Sequence, residues 1–144
     1  MRAQWCAALL AVTAIALASC SDKATAPKPA ELAGTWPATK AEYVSKSTAS
    51  RIDIVAAGGA ATLVLDAGGR YEYVEIPSGE PPDTTRGGWS ASADVMTFTV
   101  DGQLWDRQFD LYFSGNTLRL TGGDTMHDFG AGLEESDQNL SFTR

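Results

Sequence analysis

From Leu32 onward, apolar residues recur at every second position in short runs, and nowhere at the three-and-four spacing that makes a helical stripe of useful length. Met96, Phe98 and Val100 fall on one side of an extended segment, with Thr97 and Thr99 on the other. Leu63 and Leu65 repeat the pattern, as do Leu118 and Leu120. Over residues 103–113, Trp105, Arg107, Phe109, Leu111 and Phe113 share one row, opposite Asp106, Gln108 and Asp110. Glycine, asparagine and aspartate punctuate these runs. One hairpin is predicted between residues 61–66 and 71–76 across Ala67-Gly68-Gly69. A second joins 95–100 to 103–113 through Asp101-Gly102, a two-residue turn whose positive φ angles match the twist of the strands. Ser114-Gly115-Asn116 then turns into 117–121. With 35–45, 51–55, 88–92, a weaker 125–129 and 139–144, about nine strands are expected, in sequential antiparallel order.

Such strands are half-buried, and a sheet with one apolar face must curl onto itself or leave that face wet and two edges unpaired. The expected fold is therefore all-β, as a closed barrel or a flattened sandwich over residues 31–144. The glycine pairs Gly58-Gly59, Gly68-Gly69, Gly87-Gly88 and Gly122-Gly123 are expected in turns, because no helix follows them to make a phosphate cradle. Residues 76–88, rich in proline and glycine, are expected to form a hairpin connection that serves as a loop at the barrel mouth.

The chain ahead of these strands has another character. A basic start at Arg2 is followed by an apolar run over residues 7–18 and then by Leu17-Ala18-Ser19-Cys20. The run is shorter than the ~20 residues a membrane-spanning helix needs, and it reads as a secretory leader. It resembles a bacterial lipoprotein signal peptide, whose lipobox ends in the lipidated cysteine. The resemblance implies removal of residues 1–19, which takes Cys6 with it, and a diacylglyceryl group on the Cys20 sulfur with acylation of the new amino group. One acyl chain anchors only marginally, at about 0.8 kcal/mol per buried methylene, so multiple acylation is what makes the attachment firm. The mature chain then keeps no free thiol and no disulfide. Ser21 is not the aspartate that signals inner-membrane retention in enterobacterial lipoproteins, so an outer-membrane address facing the periplasm is expected. Residues 20–30 comprise the lipidated cysteine and a small, polar, proline-containing tether.

Leu32-Ala33-Gly34-Thr35-Trp36 is similar to the L-x-G-x-W opening of lipocalins and related calycins. The order that follows also resembles bacterial lipocalin-like lipoproteins: Asp66-Ala67-Gly68-Gly69-Arg70-Tyr71, then Gly88-Trp89-Ser90, Val95-Met96-Thr97-Phe98 and Leu140-Ser141-Phe142-Thr143-Arg144. This resemblance implies an antiparallel up-and-down barrel of eight to nine strands. It also implies a structural plug, with Trp36 packed at the closed end beneath Arg144. Parity points the same way, because Leu140, Phe142 and Arg144 share one side of the last strand.

Composition narrows the function. With 18 acidic against 11 basic residues and a formal charge of −7, the chain lacks the basic balance a nucleic-acid binder requires. Two cysteines and one histidine are too few for a zinc site. His127, beside Asp128 and near glycines, reads as a solvated loop residue, and no Ser-His-Asp spacing surrounds it. The carboxylates Asp53, Asp66, Glu72, Glu75, Asp106, Asp110, Glu134, Glu135 and Asp137 are assigned to exposed strand faces and turns, without calcium-loop spacing. No catalytic residue, metal or cofactor is expected, and the protein is read as a binder, not an enzyme. An eight-stranded barrel either just fills with side chains or holds one small ligand. Tyr71, Tyr73, Met96, Phe98, Trp105, Arg107 and Phe109 are the expected lining of a site for a small hydrophobic or amphipathic molecule. Arg107, on the row of Trp105 and Phe109, suits a carboxylate or phosphate head group. The rival reading is a filled barrel that meets, or inhibits, another envelope protein, and cavity volume separates the two.

Overall fold

The structure is a computed structural model that describes residues 25–144. The leader and the anchor position Cys20 lie outside the described residues. A single turn of helix, α1 (Pro29–Leu32), precedes nine strands: β1 (Gly34–Ser45), β2 (Arg51–Asp53), β3 (Ala60–Leu65), β4 (Arg70–Ile76), β5 (Asp83–Ala91), β6 (Val95–Val100), β7 (Asp106–Ser114), β8 (Thr117–Asp128) and β9 (Leu133–Thr143). Every pairing is antiparallel, and β3 to β9 run in sequential order. The sheet closes because β1 pairs with β3 along one edge and with β9 along the other. Eight strands thus form an up-and-down barrel, and short β2 adds to the upper part of β1. Closure removes the free edges that an apolar-faced sheet would otherwise expose.

The interior follows the two-residue alternation. Leu63, Leu65, Met96, Phe98, Phe109, Leu118, Leu120, Leu140 and Phe142 are buried. At the lower end, near Gly34 and Arg70, Trp36 is fully buried and donates its Nε1–H to the Leu32 carbonyl at 2.7 Å. Phe113 meets its ring edge-on at 6.2 Å. The Arg144 guanidinium lies over the same indole and donates to the carbonyls of Ala33, at 2.9 Å, and Glu31, at 2.7 Å. Gly34 sits beneath it at φ +135°, where a side chain would be strained and a Cβ would come within 2.9 Å of the Arg144 Nη1. The end of α1, Glu31 and Leu32, thus helps to floor the barrel.

Several sequence expectations need correction. Asp101-Gly102 does form a turn, with the Gln103 N–H donating to the Val100 carbonyl at 3.1 Å, but strand pairing resumes only at Thr99↔Asp106. The connection therefore spans residues 101–105, and Trp105 lies in it. Residues 117–121 and 125–128, expected in separate strands, belong to one long β8 that ends before Phe129, with a pairing shift between Leu120 and Gly123. Gly122-Gly123 is a bulge in that strand, and Gly87-Gly88 lies inside β5. At Gly87 a Cβ would overlap the Thr99 carbonyl, and at Gly123 the Phe109 ring. Glycine here makes room for close neighbours, a need that sequence alone does not distinguish from a turn. β5 begins at Asp83, which shortens the expected mouth loop to residues 77–82.

Candidate functional site

β1 makes the upper barrel different from the lower. Its inward row runs through Trp36 and Ala38, then moves to Ala41, Tyr43 and Ser45, because its register against β9 shifts between Ala38 and Lys40. A one-residue slip exchanges the faces of a strand. The shift turns the Tyr43 ring inward, level with Glu75 on β4, Arg107 on β7 and Gln138 on β9.

These side chains form a continuous relay across the barrel. Arg107 Nη1 donates to Gln138 Oε1 at 3.1 Å, and Gln138 Nε2 donates to the Tyr43 hydroxyl at 2.8 Å. Tyr43 then donates to Glu75 Oε2 at 2.8 Å, and Tyr73 donates to the same oxygen at 2.8 Å. Burial, reinforced by the Glu75 charge, pushes both phenols well above their ordinary range, so they remain donors. The Nε of Arg107 is buried and has no hydrogen-bond partner among the described residues. Among the described residues, Arg107 makes no ion pair with a carboxylate.

Above this layer, at the end opposite the plug, a cup of about 300 Å³ opens between the strands. It is lined by Tyr43, Tyr73, Glu75, Arg107, His127 and Gln138, with Glu80, Asp83 and Thr85 on one side. Against the layer on its inner side, the space bounded by Leu63, Tyr71, Phe98, Phe109 and Leu140 together with Tyr73, Arg107 and Gln138 of the layer amounts to only about 30 Å³. Tyr71 meets Phe98 edge-on at 4.7 Å, and Phe98 meets Phe109 at 5.7 Å.

The expected lining residues thus separate into three groups. Tyr73 and Arg107 reach the cup. Tyr71, Met96, Phe98 and Phe109 pack the barrel beneath it. Trp105, 49% exposed, stands on the rim with its ring 5.7 Å from the Arg107 Cζ and lines, with Arg107, an adjoining cleft of about 440 Å³; it precedes the strand, which begins at Asp106. Two further corrections concern the cup itself. His127 is no loop residue but lies on β8, stacked on Tyr43 at 3.9 Å with its ring edge against Phe129. Burial lowers its pKa, against the opposing pull of Glu75 and Asp128. Glu75 is buried inside the barrel, not on an exposed face.

Strand parity does carry part of this site. Glu75 shares the row of Tyr71 and Tyr73, and Gln138 that of Leu140 and Phe142. No pattern in the sequence marks the register shift that turns Tyr43 inward. Among the described residues no cluster of three or more histidine, cysteine or carboxylate side chains has the arrangement of a metal site. No protein-family model matches the chain, and no curated protein matches it in sequence. Fold and site therefore define a closed antiparallel barrel with a plugged floor and a polar cup at its mouth.

Proposed function

We propose that this chain is a lipid-anchored cell-envelope protein of lipocalin-like type whose barrel binds a small amphipathic ligand at its mouth. One observation carries the reading: the Arg107 guanidinium, inward and without a carboxylate partner among the described residues, lines a cup at the open end of the barrel. A carboxylate or phosphate oxygen of a ligand on that guanidinium would make a charge-assisted hydrogen bond, stronger than one between neutral groups. The Leu17-Ala18-Ser19-Cys20 sequence supports the anchor, and Leu32-Ala33-Gly34-Thr35-Trp36 supports the lipocalin-like affiliation. Periplasm-facing attachment to the outer membrane through acyl chains on Cys20 is part of the same proposal, as is a binding rather than an enzymatic role.

Native mass spectrometry of the protein extracted gently from its own cells tests the reading. A bound small molecule that is lost in Arg107→Gln is the expected result. Empty protein in every preparation, with no small molecule restoring a bound state, overturns it.

A second reading, an interaction module for an envelope protein, draws on the nearly filled lower barrel and on the apolar rim. Leu104, Trp105, Met126 and Leu133 are all exposed around the mouth. Crosslinking of the rim to one envelope protein, with the cup empty, would favour it.

A further inference from the structure

The charges of the cup are unevenly placed. Arg107 brings a single guanidinium to one wall, whereas Glu75, Glu80 and Asp83 bring three carboxylates to the other. Glu75 and Asp83 are direct partners across the β4–β5 ladder, so both project from the same face of the sheet. Like charges directly opposite one another destabilise a sheet. Among the described residues none of the three carboxylates has a lysine or arginine ion-pair partner. Only Glu75 is relieved, by the two tyrosine hydroxyls. The cup therefore has an unanswered need at each wall: an anion for the Arg107 guanidinium and a cation for the Glu75–Asp83 pair.

Depth is limited as well. With about 30 Å³ left on the inner side of the relay, an acyl chain does not enter the lower barrel unless the Tyr71, Phe98 and Phe109 rings move apart. A cup of about 300 Å³ lies at the small end of the range for organic ligands, roughly 300–1,000 Å³.

We infer that the ligand is a compact zwitterion held in the mouth, its anionic group on Arg107 and its cationic group between Glu75, Glu80 and Asp83, with no acyl chain threaded into the barrel. The inference rests on the ligand-binding reading above and specifies its chemistry. The parallel rings of Tyr43 and His127 close one side of the cup and would pack against the ligand's body.

Calorimetric titration of the full chain tests it with two zwitterions, phenylalanine and phosphocholine, which distinguish a carboxylate from a phosphate as the anion. N-acetylphenylalanine, phenylalanine amide and palmitate complete the set. Binding of at least one zwitterion is the expected result. It should weaken by about tenfold or more in Arg107→Gln, which removes the charge-assisted bond, and also in Asp83→Asn, an exposed position whose change relieves the repulsion from Glu75 and does not lower the melting temperature. Where phenylalanine binds, each capped relative should bind about tenfold more weakly, since each lacks one of the two charges. Capped forms as tight as phenylalanine, or zwitterion affinity unchanged in Asp83→Asn, overturn the inference. Palmitate bound where neither zwitterion binds also overturns it, while leaving the ligand-binding reading intact. Binding of nothing in the set, by protein that is also empty on extraction, removes both.

Discussion

The guanidinium of Arg144 sits over the indole of Trp36, its Cζ 4.0 Å from the ring centroid. The two residues are far apart in sequence, and together they seal the lower end of the barrel. Trp36 supplies the apolar mass. Arg144 supplies donors for the Glu31 and Ala33 carbonyls, which the short α1 leaves without strand partners. Trp36→Ala should cost about 3–5 kcal/mol, as expected for emptying a fully buried tryptophan site. Arg144→Ala should cost about 0.5–2 kcal/mol for the stacked cation, and somewhat more with the backbone bonds counted. Urea unfolding monitored by circular dichroism measures both, and equal losses would contradict the division of labour.

Adjacent glycines in β5 are expected to respond very differently to the same change. A Cβ at Gly87 meets the Thr99 backbone carbonyl and the Tyr71 ring, whereas one at Gly88 finds its nearest neighbour, the Gly69 carbonyl oxygen, at 3.7 Å. Gly87→Ala should therefore destabilise by about 1–3 kcal/mol or more, because backbone must shift to accommodate it. Gly88→Ala should stay within about 0.5 kcal/mol of the parent. Thermal melts of the two variants side by side decide the point.

The relay in the upper barrel makes Tyr43 more costly to lose than Tyr73. Tyr43→Phe strands both the Gln138 Nε2–H and one bond to Glu75, an expected loss of about 1–3 kcal/mol. Tyr73→Phe leaves Glu75 bonded to Tyr43 and should cost about 0.5–1.5 kcal/mol. A double-mutant cycle with Gln138→Leu should show coupling to Tyr43 and much less to Tyr73.

Stability should fall on mild acidification through His127. Its folded pKa lies below the ordinary 6.5, so the unfolded chain takes up the proton first as the pH drops. The contribution is complete above the unfolded value and is lost as the pH falls through the folded one. His127→Phe keeps a ring stacked on Tyr43 and removes the titration. Denaturant midpoints between about pH 7 and pH 5 should slope less steeply in the variant than in the parent, before carboxylates dominate at lower pH.

Cys20→Ser should release the protein from membranes. Detergent-phase partition and incorporation of labelled palmitate, each compared with the parent chain, measure the effect. Continued partition of the serine variant would show that acyl chains on this residue are not what holds it.

Most of the barrel was legible because half-buried strands write their inward row directly into the sequence. The pairing of 60s with 70s residues, the buried Met96, Phe98, Leu118 and Leu120, and the row carrying Arg107 all follow from parity. What escaped was irregularity. A glycine that admits a neighbouring ring looks like a turn glycine, as at Gly87 and Gly123. The strand after Asp101-Gly102 starts late, so Trp105 lands outside the row its spacing suggests. Of the cup, Arg107 and Tyr73 were visible from the pattern. Tyr43 was not, since it depends on a register shift, and His127, though inside the strand expected over 125–129, was read as solvated because the bulge that sets its inward row leaves no mark in the spacing.

The register shift in β1 divides the molecule into two storeys with separate duties. Side chains on the lower floor are packed against one another and tolerate little change in volume. Those on the upper floor are tied chiefly by hydrogen bonds around an open space. Substitutions upstairs can therefore drift, and recognition can be rewritten there, while the foundation that keeps the chain folded is inherited unchanged.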